Sequence, residues 1–346
     1  KTKKLSIEIV SEGLNLLEEG NYTLLSNPYD KATTNTFPLR KDVLKFLDKG
    51  GKIAGIMKDR PRIAVSFDVE EWFQTYAARK WHPRGEWDLN IGRIEIILDI
   101  ILGILDDHNA NATFFFLGWI VERYPELLRR IIDRGHEIGY HGYNHVELTS
   151  LTREKFSRNL NHFLHLLESI SIPAPVGFRA PSFSVKKESS WLVDEIVSQG
   201  FKYDSSVYPM FKNRYGSPDA PRNPFNLIGE SESILELPLA SIPFSGVKVP
   251  IAGGAYLRFY PRLLHRMMLK SLSNSNIIPV LYFHPWEIDT MNISGDMSFI
   301  QKFRQHHHSG KNTISKLRWI LKHYKGITLR DLSKEIKDSE IVDFTL

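Results

Sequence analysis

From residue 62 onward, short apolar runs alternate with stretches whose apolar residues recur every three or four positions. Short runs predict strands and the longer recurrence predicts amphipathic helices, so the alternation predicts an α/β chain with a largely parallel sheet or barrel. Residues 63–67 form the first predicted strand. Ile94, Ile97, Leu98, Ile101, Leu102 and Leu105 then line one helical face, and 112–117 is a second strand. A helix near 121–134, a strand ending at His141, a helix over 152–169 and a strand end at 177–179 follow. The helix predicted over 188–199 stops at Gly200, and 201–204 is a short extended piece. Strands at 234–239 and 279–283 and helices at 312–324 and 330–336 complete the pattern.

Residues 1–60 depart from it. Residues 5–17 and 43–47 predict two short amphipathic helices around a polar loop at 26–38, the second stopped by Gly50 and Gly51. No chemistry attaches to this stretch, which reads as an N-terminal extension of a main domain over 61–346.

Composition narrows the chemistry. A chain of 346 residues with 42% hydrophobic content can bury a sizeable core. Its longest apolar stretches, 96–105 and 277–283, are too short or too interrupted by charge to span a bilayer, so no integral membrane segment is expected. The chain begins at Lys1 with no signal-like segment, which points to the cytoplasm or the cytoplasmic face of the membrane. The absence of cysteine excludes disulfides and thiolate chemistry, so a metal would have to sit on His and carboxylates. The net charge of +5 is spread along the sequence without a dense basic run, and no nucleic-acid partner is expected. The run His306-His307-His308 reads as a loop.

Candidate chemistry gathers at the C-terminal ends of the predicted strands, where parallel sheets and barrels carry their sites. Asp68 and Glu70 lie two apart, so both face one side of a strand while Val69 faces the other. One such carboxylate can bind a metal while the other acts as general base. His141 and His145 are four apart, within reach of one ion if the residues between them turn helically. Arg179 offers a guanidinium fork to a carboxylate such as Asp68. His284, between an apolar run and Pro285-Trp286, is a titratable group suited to protonating a leaving amine.

Together these segments resemble the NodB-homology polysaccharide deacetylases, carbohydrate esterase family 4. Within them the chain is similar to the subgroup found beside exopolysaccharide and exosortase genes, which has a distinctive C-terminal segment. The resemblance rests on Phe67-Asp68-Val69-Glu70-Glu71-Trp72-Phe73-Gln74, Gly118-Trp119 with Glu122-Arg123-Tyr124-Pro125-Glu126, Arg134-Gly135-His136-Glu137-Ile138 and His141-Gly142-Tyr143-Asn144-His145. Further along it rests on Phe178-Arg179-Ala180-Pro181-Ser182-Phe183-Ser184, Tyr203-Asp204-Ser205-Ser206, Gly253-Gly254-Ala255-Tyr256-Leu257-Arg258 and Phe283-His284-Pro285-Trp286-Glu287-Ile288-Asp289.

The resemblance implies a deformed (β/α) barrel with fewer than eight complete units. It also implies metal-dependent removal of N-acetyl groups from an N-acetylated glycan, with zinc the expected metal. By position, Asp68 corresponds to the catalytic base, Arg179 to the residue that orients it and His284 to the catalytic acid. His141 and His145 correspond to metal ligands, and the Phe183 N–H to an oxyanion donor. Most of the family has a second Asp where Val69 stands here, so the third ligand is assigned to Glu70, with Glu71 in reserve. Trp72, Tyr256 and Trp286 are candidates for stacking on sugar. A catalytically inactive carbohydrate-binding protein and an amidase acting on a small non-sugar amide are the alternative readings.

Overall fold

The computed structural model describes residues 60–346 except 212–214, 292–301, 304–306, 338 and 340. The chain divides into two units, Lys1–Asp59 and Arg60–Leu346, and the described residues all belong to the second. The helices predicted at 5–17 and 43–47 therefore lie outside them, as does His306 of the histidine run.

β1 (Arg62–Val69) is buried from its second residue onward. α1 (Ile94–Asp107) lays Ile94, Ile97, Leu98, Ile101, Leu102 and Leu105 against the core and leads to β2 (Thr113–Phe116). The helix predicted over 121–134 is two helices, α2 (Gly118–Arg123) and α3 (Pro125–Ile132). Pro125 has no N–H to continue a helix but fits the first turn of a new one. β3 (Glu137–Tyr140) follows, then α4 (Arg153–Ser169), whose cap Thr152 accepts from the Lys155 N–H at 3.3 Å. β4 (Gly177–Phe178) and α5 (Trp191–Ser198) come next; α5 starts later than predicted because 187–189 form a separate 3-10 turn.

β5 (Tyr203–Asp204) leads into the more irregular half. It comprises β6 (Phe225–Ile228), β7 (Ser233–Glu236), the hairpin β8 (Ser241–Phe244) and β9 (Val247–Pro250), α6 (Gly254–Phe259) and α7 (Arg262–Asn274). β10 (Val280–Phe283), α8 (Lys311–His323), β11 (Lys325–Ile327), α9 (Leu329–Glu335) and β12 (Asp343–Phe344) complete the order. The sequence pattern predicts none of β6, β8, β9, α6, α7, β11 and β12.

Hydrogen bonding runs β10-β1-β2-β3-β4-β5-β7-β6-β12, parallel throughout except for β6 against β7. β11 shares an edge of β1 with β10, pairing with 62–64 while β10 takes 64–67. The ring closes through irregular chain beyond β7. The Leu239 N–H donates to the Val207 carbonyl at 3.1 Å, and the Ala240 N–H donates to the Val280 carbonyl on β10, also at 3.1 Å. The result is a deformed (β/α) barrel with fewer than eight complete units. Phe67 lies between Phe114 and Phe283 on the neighbouring strands, with ring centroids 4.9 and 5.7 Å away. Each such buried ring contributes roughly 1.5–3 kcal/mol, so the aromatic layer holds the strand ends in register beneath the polar residues that emerge from them.

Candidate active site

The alternation of β1 buries Phe67 and Val69 on one face and sends Ser66, Asp68 and then Glu70 to the other. Arg179, fully buried just beyond β4, meets that second face. Its Nη1 donates to Asp68 Oδ1 at 2.8 Å and to Ser66 Oγ at 2.6 Å. Its Nε donates to the Ser205 carbonyl at 2.9 Å and its Nη2 to Ser205 Oγ at 2.8 Å, while the guanidinium lies 4.3 Å over the Phe115 ring. Breaking such a pair by removing one partner costs about 3–5 kcal/mol, because it leaves an uncompensated buried charge. Arg179 is thus rigid, and so is the Asp68 oxygen it holds. Behind it lie Asp204 and Glu236, both fully buried. Burial pushes Asp204 up to about 6, and burial with the charge of Asp204 raises Glu236 well above the usual carboxylate range.

His141 follows β3, and its Nδ1 is 2.8 Å from the Arg179 carbonyl, which leaves Nε2 facing the site. Burial pushes its imidazolium down to about 4, so the ring is neutral, the form that binds metals. His145 reaches the same point by a bend rather than the helical turn expected from the spacing. Gly142 has φ +79° and His145 φ +49°, and the Gly142 and Tyr143 carbonyls accept from the N–H groups of Gly118 and Trp119 at the start of α2. The left-handed φ at position 142 suits glycine. Arg84 fixes the far side of the bend, donating to the Asn144 and His145 carbonyls at 2.7 and 3.0 Å.

Glu70, His141 and His145 are buried, and each offers a ligand atom within 4.8 Å of the others. His145 Nε2 lies 2.8 Å from Glu70 Oε2, and no other hydrogen-bond donor reaches that buried oxygen. Burial alone would push Glu70 up, but His145, with His284 and His141 behind it, outweighs burial and holds the carboxyl down at about 2. An ionised carboxylate, a neutral imidazole held through its other nitrogen, and a buried carboxylate oxygen whose nearest neighbour is the second imidazole are what a divalent cation requires, so the trio fits one. Glu71 points elsewhere. Its Oε1 accepts from the N–H groups of Arg93 and Ile94 at 2.6 and 2.8 Å, capping α1, and a Cβ at Gly92 would come within 2.8 Å of it.

His284, at the end of β10, stacks on Trp286 with centroids 5.0 Å apart, and its Nε2 is 3.7 Å from Glu70 Oε1. Its Nδ1 is 3.2 Å from Glu287 Oε2, an ion-pair contact without hydrogen-bond alignment. Glu287 is anchored in turn by Arg258, whose Nε donates to Oε1 at 2.8 Å in a buried pair. Burial would push the His284 imidazolium down, but Glu287, then Glu70 and Asp68, outweigh it and hold it up at about 9. The sequence pattern by itself assigns no role to Arg258 or Glu287. The signal was present in the three-residue step from His284 to Glu287, the spacing at which the Glu287 carboxylate also accepts from the His284 N–H at 3.0 Å.

Asp68, Glu70, His141, His145, Phe183 and His284 line a cavity of about 510 Å³. A neighbouring cavity of about 570 Å³ shares Thr75, Tyr76, Arg79, Lys80, His145 and Ser182 with it, so the two lie side by side. Trp286 lines the first cavity, but its Nε1 donates to Glu70 Oε1 at 3.1 Å, making it a support for the trio. Trp72 does not line either cavity: its indole packs on Phe73 and His82, with Nε1 donating to the Ile91 carbonyl at 3.2 Å. Tyr256 packs on the core while its neighbours Gly254, Ala255 and Arg258 line the first cavity. The Phe183 N–H donates to the Ala180 carbonyl at 3.0 Å, in a turn where Ser182 and Phe183 both have positive φ, so an acyl oxygen would have to share it.

Comparison with known proteins gives this geometry a family. Residues 97–201 match the polysaccharide deacetylase family model, and residues 205–334 match a domain of unknown function, DUF3473. The chain is similar to a peptidoglycan deacetylase of Helicobacter pylori, 29% identical over 113 residues covering 33% of this chain and 38% of that protein. It is likewise similar to a peptidoglycan-N-acetylglucosamine deacetylase of Bacillus cereus, 30% identical over 127 residues covering 33% and 46%. The match thus spans less than half the length of these relatives. In fold, the chain resembles a Mycobacterium smegmatis protein assigned to the polysaccharide deacetylases, with TM-score 0.54 and 20% identity over 83% of this chain and 94% of that one. By these matches, residues 97–201 carry the sequence pattern of the polysaccharide deacetylase family model, and residues 205–334 continue it with that of DUF3473.

Proposed function

We propose that the chain is a metal-dependent hydrolase that removes N-acetyl groups from N-acetylhexosamine units of a bacterial surface or extracellular polysaccharide, or of its precursor. The observation that carries this reading is the meeting, in one cavity, of Asp68 locked by Arg179, the Glu70-His141-His145 trio and a protonated His284. Zn²⁺ suits two imidazoles and one carboxylate with positions left open. When bound there, such an ion would polarise the acetyl carbonyl and acidify a water.

The chain's own residues supply the rest. Asp68 takes the proton of the attacking water, and Arg179 keeps its carboxylate aimed. The water oxygen bonds to the acyl carbon, the C–N bond breaks, and His284 gives its proton to the departing amine, yielding acetate and the free amino sugar. Trp286 and Tyr282 pack against the His284 ring, stacked and edge-on respectively. The sizes of the first cavity and the second beside it favour a glycan over a small amide, because a small amide would fill only a fraction of either.

Metal content and acetate release from N-acetylglucosamine oligomers, measured together on wild type and variants, test the reading. Wild type is expected to hold metal and release acetate, His141→Ala to lose both, and Asp68→Asn to hold metal while losing turnover by roughly a hundredfold or more. Metal-free wild type that binds oligomers without releasing acetate would instead identify a carbohydrate-binding protein.

A further inference from the structure

The modest net charge of the chain conceals a concentrated basic face. α7 and the neighbouring α8 contain no Asp or Glu. The two helices meet where the Arg262 guanidinium donates to Ser315, and Lys316 donates to the Tyr260 carbonyl at 2.6 Å. Lys316 is thereby buried, and Arg318 pairs with Asp107 at 3.0 Å. Arg262, Arg266, Lys270, Lys311 and Lys322 remain exposed, and among the described residues no carboxylate pairs with any of them.

Apolar side chains stand among these cations. α7 turns His265, Leu269 and Leu272 into the core, yet its outer side presents Leu263 at 70% exposure, Met267 at 62% and Leu264 at 40%. Leu263 and Met267 are four apart and form one stripe; Arg262, Arg266 and Lys270 form the adjacent one. A helix with one face in the core and an outer face of large apolar residues edged by cations has unsatisfied surface of two kinds.

We propose that this face of α7 and α8 docks on an anionic lipid surface, with Leu263, Leu264 and Met267 entering the headgroup boundary and the cations meeting lipid phosphates. Charge complementarity selects that occupant. A second copy of the chain would set cation against cation, and a nucleic acid would satisfy the charges while pressing the leucines and methionine against phosphate. A lipid headgroup layer offers anions at the depth of the cations and acyl chains just below. α6, which immediately precedes α7, contributes Gly254, Ala255 and Arg258 to the active cavity, so the docking face is tied to the cavity wall. The proposal does not depend on the deacetylase reading.

Co-sedimentation of the full chain with vesicles of phosphatidylcholine, alone or mixed with phosphatidylglycerol, tests it without an activity assay. The full chain is expected to pellet with the mixed vesicles at low ionic strength, to pellet little with phosphatidylcholine alone, and to be released by high salt. Arg266→Gln with Lys270→Gln is expected to weaken partitioning by about twenty-five-fold, at about fivefold per cation. Leu263→Ser with Met267→Ser should weaken it by at least about tenfold. Both variants should unfold at the wild-type temperature, since the altered side chains are exposed. The proposal is overturned by equal pelleting with both vesicle types, by no pelleting, or by folded variants that bind like wild type. It is also overturned if wild type is a dimer that Leu263→Ser with Met267→Ser disperses, which would assign the face to self-association.

Discussion

Glu287 sits behind His284 much as Arg179 sits behind Asp68, a buried charge that sets the behaviour of the group facing the cavity. Burial opposes the His284 proton, and Glu287 is the strongest of the carboxylates that retain it. A group whose pKa is raised to about 9 keeps its proton through neutrality and loses it as pH rises through that value. If His284 is the acid, acetate release therefore declines on the alkaline side. Glu287→Gln removes the charge while keeping the shape, so its alkaline limb is expected at lower pH than that of wild type, by about one unit or more. Profiles of kcat/KM against pH for the two proteins would check this; coincident alkaline limbs would detach Glu287 from the acid. At this scale the sequence exposed the groups that do chemistry, because Asp, His and Arg are conspicuous beside apolar runs. It hid their supports, because Ser66, Ser205 and Arg258 become partners of the site only through contacts between separate elements.

Two adjacent glutamates show what an element decides. Glu70 continues the inward face of β1, while Glu71 turns away to cap α1 more than twenty residues later. Burial pushes Glu71 up to about 7 despite the two N–H groups it accepts from, so capping does not require its full charge. Glu71→Gln is accordingly expected to cost under about 1 kcal/mol and Glu71→Ala about 2 kcal/mol, both with metal retained. Glu70→Ala should lose metal instead; urea unfolding paired with metal analysis separates the two glutamates. The most regular elements, α1, α4 and β1, were the most legible in the sequence, since one buried face imposes one period. α7 was not legible, because Leu263, Leu264 and Met267 add apolar residues to its outer side and blur the contrast between its faces. β4 and β5, two residues each, are too short to carry a pattern of their own and take their form from their neighbours.

Across the whole molecule, among the described residues, no helix is long and apolar enough to cross a membrane, and stability responds to groups far from the cavity. His136 packs against Phe114 with both ring nitrogens unpartnered, and burial pushes its pKa down to about 4 from an ordinary 6.5. Between those values the unfolded chain holds a proton there that the folded chain refuses, so this residue makes the fold lose stability as pH falls through the window. Relative to wild type, His136→Leu is expected to gain about 2 kcal/mol between pH 7 and pH 4.5, read from urea midpoints at each pH. A constant difference between the two proteins would show that His136 accepts its proton without cost. The sequence alone determined the alternation that builds a β/α barrel and the polar residues at its strand ends, because strand and helix periods and strand-end chemistry are local properties. Only the tertiary structure decided which glutamate joins the histidines, how an irregular segment closes the ring, what holds His284 protonated and where the cations gather. Each of these depends on distances between residues remote in the chain, and no local pattern encodes a distance.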